Sequence, residues 1–367
     1  MRWFGRKAAE PPSVYLSCLD DNKNPFPSGY QAQVREVFLV NPVGQRAVRM
    51  VAGAIAALKI YALEGDERVA VQLGRTNLME QAAASLLLHG NAFVQVVEAL
   101  DVPELFHLQP ERVGIEADER GWPVAYQYKV GRKTSRIPRR DVLERVQIVH
   151  IKALNPTQEQ SGLGCVEAAS AAASIHNRAS RWNKALLDNA ARPSGALSYE
   201  PPDGAPLSAN QFARLREEID RQFSGSQNAG RPLLLEGGLR WQSLGLKPTD
   251  MDFVAVKEAA ARDIALAFGI PPVLLGLPGD TAYANLREAG RALYRQTVLP
   301  LAERILAELS VTLRDWVGPL RLAIDTDAIS ELAEDRERLW QMVAAATFIT
   351  DDEKREMLGF STGAVAA

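Results

Sequence analysis

Between Leu207 and Tyr283 the chain strings together a helix, a small β element, a second helix and a Gly/Pro loop, and this order constrains the fold more than any other feature. Leu207-Ser208-Ala209-Asn210-Gln211 opens the first helix, with Ser208 as N-cap and Gln211 at the capping-box position, and the helix is expected to run to about Phe223. From Gly225 to Asp250 two short apolar runs, Leu233-Leu234-Leu235 and Leu239 to Leu246, read as a hairpin turning at Gly237-Gly238. Met251 to Gly269 gives the second helix: Phe253, Val256, Ala260, Ile264, Ala267 and Phe268 share a stripe, and Ile270-Pro271-Pro272 ends it. Such a run is an odd frame for an enzyme and suits a protruding stalk.

The flanking segments mix helix and strand. Residues 1 to 40, with Pro11, Pro12, Pro25 and Pro27, read as an arm or irregular lead-in. Behind Asn41-Pro42, the residues Val43, Ala47, Met50, Val51, Ala54, Ile55 and Leu58 fall at helical spacing, which predicts about four turns of helix. A second helix, Asn77 to His89, stops at Gly90, and strands are expected over Phe93 to Val97, Ala125 to Val130 and Ile148 to Leu154. An Ala-rich helix over residues 165 to 190 ends before Arg192-Pro193-Ser194-Gly195, ahead of a short strand, Ala196 to Tyr199. After the loop from Leu274 to Thr281, a long helix from Tyr283 to Leu313 should kink at Pro300. A strand, Leu320 to Ile324, and helices near Ile329 to Thr347 and Asp351 to Leu358 complete an α+β chain.

Composition narrows the function. At about 150 residues per domain, 367 residues suggest two or three domains. No apolar run approaches the ~18 residues that cross a bilayer, and Met1 to Lys7 lacks the apolar stretch of a signal peptide, so the chain is expected in the cytosol when made, away from membranes. Two cysteines, Cys18 and Cys165, and four histidines, His89, His107, His150 and His176, exclude a disulfide scaffold and read as isolated residues rather than a zinc site. With 42 Lys+Arg against 45 Asp+Glu the net charge is -3, which argues against a protein that coats nucleic acid but not against one that DNA passes.

Catalytic signatures are weak. Gly162-Leu-Gly164-Cys-Val-Glu167 places Glu where a dinucleotide fingerprint needs Gly or Ala, and no Gly-x-x-x-x-Gly-Lys-Ser/Thr loop occurs. Ser194 sits between Arg192 and Ala196 where a nucleophile elbow needs glycines. Asp325-Thr-Asp327 could bind a metal, but Thr326 and Asp327 are well placed to cap the next helix. His89-Gly90-Asn91-Ala92-Phe93 reads as a tight helix-to-strand junction. Arg132, Lys133, Arg136, Arg139, Arg140 and Arg145, set against Asp141 and Glu144, form either a solvated loop face or a phosphate contact. No catalytic residue, metal site or cofactor is assigned; a DNA-processing hydrolase with an unrecognised site stays open as an alternative.

The element order, together with several motifs, resembles the portal proteins of tailed phages, of the siphophage type. The most telling pieces are Leu87-Leu88-His89-Gly90-Asn91-Ala92-Phe93, Asn189-Ala190-Ala191-Arg192-Pro193-Ser194-Gly195-Ala196-Leu197, residues 228 to 238 and Ala267-Phe268-Gly269-Ile270-Pro271-Pro272. Tyr283 to Ala289, Thr297 to Leu301 and Ile349 to Glu356 add to the likeness, which spans nearly the whole chain. The resemblance implies a ring of about twelve subunits at one capsid vertex, in a virion or phage-like particle assembled in a bacterial cytoplasm, with a channel for packaging and ejecting double-stranded DNA. It also implies the portal fold: an N-terminal arm (1–29), an α/β wing (30–207), stem helices (208–224 and 251–269), a β-containing clip (225–250), a tunnel-loop region (270–283), a long kinked wing helix (284–313) and a small helical crown (314–367).

Mapped onto this chain, the tunnel loop comprises Leu274, Leu275, Gly276, Leu277, Pro278, Gly279, Asp280, Thr281 and Tyr283, and is expected to face DNA at the narrowest point. The clip is expected to present Arg231, Arg240, Trp241 and Lys247 and to dock the terminase large subunit first and a head-tail adaptor later, the alternative being that Trp241 is buried between subunits of the ring. Further implied partners are identical subunits and the major capsid protein. The chain ends soon after Phe360, so the crown should be small, which leaves a prophage or gene transfer agent particle open. Another ring-forming head-tail connector is the alternative within the same class.

Overall fold

The computed structural model describes residues 29–188, 195–199, 239–243, 253–277 and 283–358, with helical positions at 210, 211, 213, 214 and 217. The chain divides into two compact units, Met1–Ser170 with Ala265–Ala367, and Ala171–Ile264.

The first unit opens on α1 (Tyr30–Val34), continued as a π turn over Arg35–Leu39. The irregular lead-in expected up to residue 40 is therefore helical from residue 30. Its stabilisation is tertiary, because Val37 is fully buried and packs on Gly44, where a Cβ would come within 2.1 Å of the Val37 carbonyl oxygen. At α2 (Pro42–Ala56) the Asn41 side chain accepts from the amides of Val43 and Gly44, both at 3.0 Å, and Pro42 occupies the first turn. Ala47, Val48, Val51, Ala52 and Ile55 form its buried stripe.

Next come β1 (Ile60–Glu64) and α3 (Glu67–Arg75), two elements too short for periodicity to reveal, the second capped by Asp66. In α4 (Leu78–His89) the last turn ends on Gly90 in the left-handed conformation at φ 77°. The strands β2 (Asn91–Val97), β3 (Glu104–Leu108), β4 (Val113–Ala117), β5 (Pro123–Val130), β6 (Lys133–Pro138) and β7 (Ile148–Lys152) follow. They build two antiparallel three-stranded sheets, β3-β2-β7 and β4-β5-β6. Phe93, Leu108, Tyr126 and Ile148 pack into a core that joins the two sheets, with the Phe93 ring stacked on His150.

Further along lie α5 (Cys165–Asp188), β8 (Gly195–Tyr199), β9 (Leu239–Ser243), α6 (Phe253–Ala267), α7 (Tyr283–Leu293) and α8 (Leu299–Val317). Where a kink at Pro300 is expected, a π turn, Tyr294–Val298, separates α7 from α8, and Pro300 falls in the first turn of α8. Proline lacks the N–H that would continue the ladder, and the wider turn accommodates the missing donor. Ala302, Ile305, Leu306, Leu309 and Leu313 bury one face of α8. After α8, β10 (Arg321–Ile324) pairs antiparallel with β1, from Ile60↔Ile324 to Glu64↔Arg321, joining the ends of the unit. Then come α9 (Ala333–Ala345) and α10 (Asp351–Met357). Thr350 and Glu353 make the reciprocal capping box at α10: the Thr350 amide donates to Glu353 Oε2 at 2.7 Å and the Glu353 amide to Thr350 Oγ1 at 3.3 Å.

In the second unit β8 and β9 pair antiparallel, from Gly195↔Ser243 to Tyr199↔Leu239. The strand expected near Leu239 is present, and its partner among the described residues is β8; Leu233-Leu234-Leu235 and the Gly237-Gly238 turn lie outside them. Trp182 of α5 and Phe253 of α6 have ring centroids 6.0 Å apart. The expected first stem helix falls mostly outside the described residues, which are helical at 210 and 211.

Candidate functional site

The segment mapped as the tunnel loop begins where α6 ends. Gly269 turns at φ 65°, and Thr297 in the π turn donates its hydroxyl to the Gly269 carbonyl at 2.6 Å, pinning the exit from the helix. Leu274 and Leu275 close a single 3-10 turn over Pro272–Leu275, capped by Gly276 at φ 72°, a conformation that glycine adopts without strain. Leu277 is half-buried, and Tyr283 begins α7. Pro278, Gly279, Asp280 and Thr281 lie outside the described residues.

Beneath this turn is a cavity of about 340 Å³ lined by Leu274, Leu286, Arg287, Gly290, Arg291, Ser330, Glu331 and Glu334. Its charges are internally balanced. Glu334 of α9 receives both Arg287 and Arg291 of α7, and Arg295 in the π turn pairs with Asp335. Arg291 is almost wholly buried; although burial opposes its charge, Glu334, Asp335 and Glu288 together hold its pKa above the ordinary arginine value. Paired in this way, the guanidinium groups brace the loop's anchor rather than offer an anion site.

Of the residues mapped to the clip, Arg240 and Trp241 fall in β9, in register with Ser198 and Leu197. Arg231 and Lys247 lie outside the described residues.

The basic cluster divides in two. Arg136 donates to Glu116 at 2.8 Å, Arg140 pairs with Asp315 at 3.3 Å, and Arg145 pairs with Asp141 and Glu98 while its guanidinium lies 4.0 Å from the Trp316 ring centre. Arg132, Lys133 and Arg139 make no ion pair among the described residues. Arg136 thus ties β6 to β4, while Arg140 and Arg145 fasten the loop before β7 onto α8, where Trp316 Nε1 donates to the Val146 carbonyl at 2.8 Å.

The most developed polar constellation is one that the local motifs showed only in pieces. Asn91, 1% exposed, sits behind Gly90, where α4 gives way to β2. Its Oδ1 accepts from the Gly162 amide at 2.8 Å and from His150 Nε2 at 2.9 Å. Its Nδ2 has acceptors in His89 Nδ1, Ser161 Oγ and the Gly162 carbonyl at 3.1 to 3.2 Å. The Ala153 amide donates to the Gly90 carbonyl at 2.7 Å, and Gly162 lies so close that a Cβ there would stand 1.9 Å from that oxygen. Burial pushes His89 down to about 4 and His150 down to about 3, so both rings are neutral at neutral pH. The histidines read as isolated thus include two that share one amide. Gly162-Leu-Gly164, read as a helix start, also packs against the junction at Gly90. The network locks two chain segments together.

Other chemical candidates resolve similarly. Ser85 Oγ and His107 Nε2 share a hydrogen bond at 2.9 Å, but no described acid orients the imidazole as a triad needs. Asp325 is the cap of the short turn Thr326–Ala328, accepting from the Asp327 amide at 3.1 Å, in place of the expected Thr326 or Asp327, because a cap must precede the turn it closes. Asp327 instead meets Arg336 at 2.6 Å. Among the described residues no group of three His, Cys, Asp or Glu side chains could hold a metal, and no helix is long and apolar enough to cross a membrane.

Comparison with known proteins places this architecture. A solved chain from the neck of a native gene transfer agent particle, computed with C12 symmetry, is 42% identical with a TM-score of 0.71, the match covering 92% of this chain and 94% of that one. An uncharacterized protein of Rickettsia bellii (strain RML369-C) is 40% identical over 77% of this chain and 73% of its own length. The probable portal protein of Streptomyces phage phiC31 is 25% identical over 71% of this chain and 54% of its length. The family model for the phage portal protein matches residues 42–359, from the Asn41-capped start of α2 to just beyond α10, and the chain therefore belongs to the phage portal protein family.

Proposed function

We propose that about twelve copies of this chain close into a ring at one vertex of a phage or phage-like capsid, and that double-stranded DNA is packaged and ejected through its centre. The observation that carries this reading is the match of nearly the whole chain, at 42% identity, to a neck subunit with C12 symmetry. Closed cyclic symmetry needs a heterologous interface, two different patches on each subunit. In agreement, large apolar side chains stand open to solvent, among them Val142 at 97%, Leu154 at 83% and Phe348 at 89% exposure, as expected of a protomer awaiting neighbours.

Within the ring, Leu274 to Tyr283 form the narrowest part of the channel, where Asp280 is the single charge. A neutral or acidic constriction lets DNA slide, because each phosphate contact adds salt-dependent affinity and so resistance to movement. The clip, with Arg231, Arg240, Trp241 and Lys247, docks the terminase large subunit during packaging and a head-tail adaptor afterwards; Trp and Arg are common interface anchors. The wing meets the major capsid protein. The role is structural, without turnover.

Native mass spectrometry with negative-stain imaging tests the proposal. Twelve copies of a 40.2 kDa chain give a closed particle of about 480 kDa. A species that stays monomeric across concentration, in low and high salt, overturns it.

A further inference from the structure

Two of the three unpaired cations of the basic cluster, Arg132 and Lys133, sit at the tip of a β-ribbon, and Arg139 lies beyond the other end of β6. β5 and β6 are joined by a two-residue turn, Gly131-Arg132, between the paired residues Val130 and Lys133. Gly131 has φ 60° and Arg132 does not share a positive φ, the arrangement of a type II′ hairpin, which requires glycine at its first position. The third strand of this sheet stops short of the turn, since β4 pairs only as far as Val113↔Tyr128. Past Tyr128 the ribbon is two-stranded, and Lys129 to Thr134 are all exposed.

Lys129, Arg132 and Lys133 thus place three cations within five residues, with no ion-pair partner among the described residues. Nearby charge of both signs cancels. Arg136 is held by Glu116, whose buried carboxylate also accepts from Gln127 at 2.6 Å, while Glu111 and Arg112, just before β4, contribute one charge of each sign. The tip therefore carries a concentrated local charge of +3 on a chain whose total is -3.

We infer that this hairpin tip is a contact for the phosphate backbone of duplex DNA, separate from the channel-lining loop. Long exposed cations around a tight turn, with only Val130 as an apolar companion, lack the desolvated aromatic centre of a protein–protein interface. A two-stranded ribbon, by contrast, has the width to follow a DNA groove while its flanking cations meet phosphates. Three such contacts give sequence-independent affinity that falls steeply with salt. The tip belongs to a single chain, so the inference stands or falls independently of ring closure.

The test is fluorescence anisotropy of the purified full-length chain with a labelled duplex of mixed sequence, alongside a Lys129→Gln, Arg132→Gln, Lys133→Gln variant and a Lys129→Arg, Lys133→Arg variant. Circular dichroism checks folding, and native mass establishes the oligomeric state of each. Three lost contacts should lower the log–log salt slope by about 2.7, so that from about 50 to 200 mM salt the wild type loses about 40-fold more affinity than the triple variant. The arginine variant should behave as wild type. An unchanged slope in the triple variant, no duplex binding by the wild type, or displacement of the duplex by polyglutamate as effective as by unlabelled DNA each overturns the inference.

Discussion

Replacing Asn91 with Ala should unfasten the junction between α4 and β2. The substitution removes the acceptor for two donors, the Gly162 amide at 2.8 Å and His150 Nε2 at 2.9 Å, in a site where Asn91 is 1% exposed. Water cannot readily replace the carboxamide there, because Gly90 and Gly162 pack backbone to backbone. An unsatisfied buried donor costs about 1–3 kcal/mol, so two should cost about 3–5 kcal/mol together with the lost packing of the amide. Against a total stability of about 5–15 kcal/mol that is a large fraction. Urea unfolding followed by circular dichroism, at fixed protein concentration so that assembly does not shift the midpoint, gives the difference. Ser161→Ala, which takes one neutral bond from the same network, should cost about 1 kcal/mol or less. A loss in Asn91→Ala no greater than in Ser161→Ala would refute the claim that this amide carries the junction.

Three further outcomes are expected. His89 and His150 are held neutral in the fold with pKa values pushed down to about 4 and about 3 from an ordinary 6.5, so stability should be full well above pH 6.5 and fall as pH drops toward those values, by about 1 kcal/mol per histidine between pH 6.5 and 5.5; His150→Gln should flatten the profile, and a stability unchanged from pH 6.5 to 4.5 would contradict the burial. Glu334→Ala strips Arg287 and Arg291 of their shared partner and should destabilise the first unit by about 1–3 kcal/mol in thermal or urea unfolding, a negligible change showing that the pairs are surface ornaments. Replacing Arg240 and Trp241 with Ala should leave particles assembled but short of packaged DNA or tails, whereas normal packaging and tail joining would remove the clip from the docking role.

The parts of this fold that could be read from sequence are those with local causes. Asn41-Pro42 starts α2 through its own side chain and ring, and Gly90 stops α4 because it alone takes the left-handed turn without cost. The Pro300 irregularity was legible as a break but not as a π turn, since which carbonyls shift register depends on neighbours such as Gly269 against Thr297. Elements with remote causes were not legible: the helix at Tyr30–Leu39 exists because Val37 is buried against α2, and β1 is a strand because β10, far along the chain, pairs with it. The Asn91 network has the same character. His89-Gly90-Asn91 and Gly162-Leu-Gly164 each stand out locally as a glycine-marked junction, but only the topology brings them together. The tunnel-loop and clip residues are marked by family likeness rather than by chemistry in the chain.

The proposed ring is closed, with its narrowest point at the loop after α6. A cryo-electron microscopy map of the purified ring tests it most directly. Cyclic symmetry of about twelve is expected, as in the related neck, with Leu274 to Tyr283 of every subunit circling the axis at the smallest radius. A ring with that loop on its outer surface, or a chain that forms no ring, would contradict it.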